Sequence, residues 1–127
     1  MRRATPLVLL ALFILPAQAA APARNFVVFF QEWSAAIDGS AQGVIARAAA
    51  WAKAHPGETI EVAGAADRLG SAKANRLLSE LRAQVVTDQL AADGVPEAAV
   101  RQVGLGSIGY QLKSQMSRRV IISVGAP

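Results

Sequence analysis

Two segments with helical periodicity flank one strand-like run, and this alternation restricts the chain more than any other feature. In the first, Ala41, Val44, Ile45, Ala48 and Ala52 recur at a spacing that gathers apolar side chains on one helix face. Asp38 or Ser40 can cap its start, and His55-Pro56-Gly57 stops it. Thr59-Ile60-Glu61-Val62 then alternates polar with apolar residues, as a strand does, and ends at Gly64. From Ser71 to about Ala92 helical spacing returns, with Ala74, Leu78, Leu81 and Val85 as its expected core stripe and Asp93-Gly94 as its end. Upstream, Phe26 to Phe30 is short, aromatic and β-branched, as a buried strand should be, and Trp33 follows in a loop. Downstream, after a turn opened by Pro96, Val100 to Gly104 and Arg119 to Val124 supply a third and a fourth strand. The order β-α-β-α-β-β predicts an α/β (α+β) two-layer sandwich, with helices on one face of a mixed four-stranded sheet.

At 127 residues the chain holds one domain, and an apolar fraction of 53% suffices for a single packed core. Arg2 and Arg3 precede the apolar run Pro6 to Leu15, which is followed by Pro16 and the small-x-small triplet Ala17-Gln18-Ala19. This is the pattern of a secretory signal peptide, and the run is shorter than the ~20 residues of a spanning helix. The expected division is a signal peptide over 1–19, a linker over 20–25 and a domain over 26–124. Cleavage removes two arginines and no acid, so the net charge falls from +4 to 4 − 2 = +2, too mild to imply nucleic acid.

No cysteine is present, which excludes disulfides, thiolate metal sites and a lipid on an N-terminal cysteine. In a bacterial setting the expectation is a soluble exported protein of the periplasm. His55 is the only histidine and reads as a helix C-terminal cap; without a second ligand or a nucleophile–base pair, no zinc site, catalytic pair or cofactor is implied. Gly104 to Gly109 matches the dinucleotide pattern G-x-G-x-x-G, but a strand follows where that fingerprint needs a helix. Trp33 and Trp51 read as core or core-edge packing, with a carbohydrate stacking platform as the alternative, to which Trp33 in its loop is the more open of the two.

The segment Gly64 to Ala83 carries the chemistry. At about 100° per residue, Asn75, Ser79 and Arg82 share one stripe of the second helix, bordering the expected core stripe and still reaching solvent. Asp67, between Gly64 and Gly70, is expected three residues beyond the second strand, in a loop that leads into that helix. One carboxylate and one guanidinium that do not fully neutralise each other would suit a zwitterion, with its ammonium on Asp67 and its carboxylate on the planar fork of Arg82. The spacing fits equally an Asp67–Arg82 salt bridge that orients the loop.

These residues resemble a known family. Gly64-Ala65-Ala66-Asp67-Arg68-x-Gly70, Asn75, Leu78-Ser79-x-x-Arg82-Ala83-x-x-Val86, Leu90, Gly94-Val95, Gly104-x-Gly106 and Arg118-Arg119-Val120 together resemble the OmpA-like peptidoglycan-binding domain, over Phe26 to Val124. The resemblance implies that Asp67 and Arg82 grip the diaminopimelate of the peptidoglycan stem peptide, with Asn75 adding hydrogen bonds and Ser79, Arg118 and Arg119 supporting. Ala65 and Ala66 stand where the family carries a larger residue and a Thr, and Ser107 stands where Glu is common. The implied function is non-catalytic wall binding that supports the cell envelope. Residence on a polymeric wall would lengthen with a homodimer or an envelope protein partner. The rival reading is an envelope protein-interaction module that keeps the fold without wall binding.

Overall fold

The structure, a computed structural model, describes residues 3, 4, 6, 11, 23–107 and 117–125. The expected signal peptide and the loop before Arg118 therefore lie almost wholly outside the described residues. The elements are β1 (Arg24–Phe29), α1 (Gly39–Ala54), β2 (Ile60–Ala66), α2 (Ala72–Ala92), a single 3-10 turn at Glu97–Ala99, β3 (Val100–Ser107) and β4 (Arg119–Val124). The sheet runs β1-β4-β2-β3: β4 is antiparallel to both β1 and β2, while β2 and β3 are parallel. This is the mixed four-stranded α+β sandwich that the element order predicts.

Local chemistry sets the helix ends. Asp38 caps α1 by accepting from the Ala41 amide at 2.7 Å, and Ser71 caps α2 by accepting from the Ala74 amide at 3.0 Å. At the end of α1, His55 Nδ1 donates to the Trp51 carbonyl at 2.8 Å and its ring stacks on the Trp51 indole, so the cap role holds. Phe26, Val28, Ile60, Val62, Val120, Ile122 and Val124 alternate onto one sheet face and bury themselves against Ile45, Ala48 and Ala49 of α1 and Val86 and Leu90 of α2.

The phase of α2 differs from the expected one. Leu81 and Leu77 are more than half exposed, Ala74 is exposed, and Leu78 and Val85 are only partly covered. The face turned to the sheet carries Asn75, Ser79, Arg82, Ala83, Val86, Thr87 and Leu90. Two features explain the rotation. The helix lies so close to β2 that a Cβ on Gly64 would overlap the Ser79 carbonyl oxygen and come within 3.1 Å of the Ala83 nitrogen, so small residues must line the contact. The loops at that end of the sheet also turn carbonyls inward, and a buried carbonyl needs a donor that no leucine supplies.

Arg82 supplies it. Its side chain is fully buried, and its Nε donates to Ser34 O (2.8 Å), its Nη1 to Ala65 O (3.0 Å) and its Nη2 to Gln31 O (3.0 Å). One guanidinium thus ties the turn after β1 to the last residues of β2, with its cationic carbon 5.4 Å from the centre of the Phe30 ring. Replacing Arg82 with Met should lower stability in urea unfolding by about 3 kcal/mol, because several inward carbonyls lose their donor together. Gly64→Ala should cost about 1–3 kcal/mol by overpacking the β2–α2 contact, read from the same unfolding midpoint.

Candidate functional site

β2 runs two residues further than the alternation at Thr59 to Val62 indicates, so Asp67 follows the strand directly rather than three residues later. Its Oδ1 accepts from the Leu69 amide at 3.1 Å, which closes the turn toward Gly70. Its Oδ2 lies 3.6 Å from Arg118 Nη1. The carboxylate therefore pairs with Arg118 at the foot of β4, and Arg82 stands behind it. Arg118 is largely enclosed: its side chain is 17% exposed and its Nε donates to Phe30 O at 3.3 Å.

Asn75, on the first turn of α2, reaches the same place from the other side. Its Nδ2 donates to Ser107 Oγ (2.9 Å), and that hydroxyl donates to the backbone oxygen of Asp67 (3.3 Å). Ser107, at the end of β3, therefore fastens the helix to the Asp67 loop. Ser79 works one turn lower: its hydroxyl donates to Arg76 O (2.7 Å) and accepts from the Gly106 amide (2.8 Å), which holds β3 against α2. Arg119 is not brought to this group; by strand alternation it lies on the sheet face away from the helices, opposite Phe29 of β1.

Two oxygens stand out. Asp67 Oδ2 and Asn75 Oδ1 are both buried acceptors that meet no hydrogen-bond donor among the described residues. Buried acceptors in this condition are rare, and a ligand or ion donor is one thing that satisfies them. The surrounding charge is mixed. Burial pushes the Arg82 guanidinium below its ordinary pKa; Asp67 opposes that shift and Arg118 adds to it. The site is thus one carboxylate faced by two cations, with amide and hydroxyl groups between them. Asn75, Ser79 and Arg82 do not reach solvent as a helix-border position implies: all three are essentially fully buried, and Asp67 is 9% exposed.

Arg118 also lines a cleft of about 400 Å³ between the free edge of β1 and the start of α1, together with Phe30, Gln31 and Asp38. A cleft of about 610 Å³ opens at the opposite end of the sheet, along Asn25, Thr59, Ala99 and Arg101, away from every residue above. Sequence reasoning missed Ser107 as a bridge, since a serine at a strand end carries no signal of its own. It also placed Trp33 among packing residues. Trp33 is 52% exposed, because its backbone is left-handed (φ 54°) and turns the indole outward.

Comparison with known proteins places this geometry in a family. The model of the OmpA family matches residues 29–118. A peptidoglycan-associated lipoprotein of Agrobacterium fabrum is 34% identical over 79 residues, covering 62% of this chain and 45% of that protein, so the chain spans under half of that relative's length. Among solved structures, the peptidoglycan-associated lipoprotein of Burkholderia pseudomallei superposes with a TM-score of 0.68 at 27% identity, covering 78% of this chain and 88% of that one. The C-terminal domain of Helicobacter pylori MotB does so with a TM-score of 0.66 at 26% identity, covering 79% and 83%. The OmpA-like domain of FopA1 from Francisella tularensis reaches 0.72 at 24% identity, covering 83% and 73%, a likeness of fold. With its family model matched from the end of β1 to the foot of β4, and the sheet order and helix placement to go with it, the chain belongs to the OmpA family.

Proposed function

We propose that this protein is a non-catalytic binding domain of the bacterial envelope that recognises peptidoglycan through the diaminopimelate zwitterion of the stem peptide. The observation that carries the reading is the pair of donor-less buried acceptors, Asp67 Oδ2 and Asn75 Oδ1, beside the guanidiniums of Arg82 and Arg118. An ammonium brings the donors those oxygens lack, and a carboxylate next to it meets the positive charge. The OmpA family match and the two peptidoglycan-associated lipoproteins support a binding domain rather than an enzyme.

The division of labour shifts from the one that spacing suggests. Asp67 and Asn75 take the ammonium. Arg82 bonds three backbone carbonyls with three of its donors and acts mainly by its charge and by holding the frame. Arg118, on the border of the 400 Å³ cleft, presents the cation that a carboxylate reaches first. Ser79 supports by fixing β3 on α2. Export to the periplasm, association with the outer membrane and a homodimer or envelope partner belong to the same proposal.

Sedimentation with purified sacculi tests it. The protein should pellet with diaminopimelate-type sacculi and much less with lysine-type sacculi, whose side chain keeps the ammonium and lacks the carboxylate. Asp67→Asn, which preserves shape and the Leu69 contact, should reduce pelleting at least about tenfold, a loss near 1.4 kcal/mol. Equal pelleting by the variant, or no preference between the two walls, would refute the assignment.

A further inference from the structure

Trp33 has no part in the site just described, yet three features converge on it. Its backbone sits in the left-handed region at φ 54°, a conformation that a bulky residue rarely adopts and that the surrounding structure must impose. The imposing group is Arg82: its Nη2 and Nε clamp the carbonyls of Gln31 and Ser34, the residues two before and one after the tryptophan, and the Ser34 amide closes the turn onto Gln31 O at 3.1 Å. The third feature is the position of the ring. It lies over Gly70, whose added Cβ would stand 2.5 Å from Trp33 Cη2, so the indole rests edge-on against the loop that begins with Asp67.

Strain, clamp and position together hold a half-exposed tryptophan against the loop that begins with Asp67. Packing alone does not account for this, because a ring placed only to fill space would be covered. Among the exposed residues that neighbour it in the chain or neighbour Gly70 are the polar Gln31, Glu32 and Arg68, along with the apolar Leu69. A rigid aromatic face framed by hydrogen-bonding side chains suits a ligand with one apolar, C–H-rich face and polar edges. A pyranose ring has that build. We propose that Trp33 is a stacking platform for a sugar of the glycan strand, next to the peptide subsite at Asp67. The inference rests on the peptidoglycan reading and extends it from the stem peptide to the saccharide.

The test uses two probes: a disaccharide-tetrapeptide containing diaminopimelate, and the same tetrapeptide without sugars, each titrated calorimetrically against the purified protein. The wild type should bind the sugar-bearing probe about tenfold more tightly. Trp33→Asn, chosen because Asn tolerates a left-handed backbone, should erase that preference and leave the bare peptide's affinity in place, whereas Trp33→Phe should keep part of it. Equal affinity of the wild type for the two probes overturns the platform and leaves the peptide reading intact, as does a Trp33→Asn variant that keeps the sugar preference. Failure of the wild type to bind either probe overturns both. An Asp67→Asn control, expected to lose both probes, separates loss of the peptide grip from loss of stacking.

Discussion

The position of one buried guanidinium governs this end of the molecule. Arg82 is enclosed by protein, which is costly for a cation, and the cost is met by three backbone carbonyls and the nearby carboxylate of Asp67. Those carbonyls belong to the turn after β1 and to the end of β2, segments separated by all of α1. A single planar fork therefore sets the distance between two loops that no strand pairing joins. Lysine, with one point-like ammonium, could not span the same three acceptors.

The loop at Asp67 has its own supports. From α2, Asn75 reaches Ser107 at the end of β3, and Ser107 reaches the Asp67 backbone; from the residue just before β4, Arg118 meets the carboxylate. The cluster is thus built from α2, β3 and the residues that directly adjoin β2 and β4. Rigid placement of this kind is what a recognition site needs when each contact is individually modest. The donor-less acceptors at Asp67 and Asn75 are where the network is left open.

Much of this was legible in the residues, and the limits are instructive. Caps at Asp38 and His55 are local, since the partner amide or carbonyl lies within one helical turn, and they match. The order of elements along the chain and the buried face of α1 follow from alternation and period. The rotation of α2 was not legible: hydropathy turns Leu81 inward, whereas the structure leaves it exposed and buries Arg82. What decides between them is the set of carbonyls presented by distant loops, and no window along the helix contains that information. For the same reason, the spacing of Asp67 and Arg82 pointed to a pair in contact with solvent, while the contact made by Asp67 is with Arg118, 51 residues away. Trp33 is a further instance, because its left-handed backbone lies between two carbonyls that Arg82 holds from α2.

The sheet order has a consequence for how such a chain is made. β4, the last strand in sequence, lies between β1 and β2, so the two strands formed earliest have no mutual pairing to close. Before Arg119 to Val124 arrive, β1 carries two unsatisfied edges, and the sheet face under both helices lacks Val120, Ile122 and Val124. A nascent chain is thereby kept from closing its sheet early, and completion of the sheet becomes a late event that awaits β4.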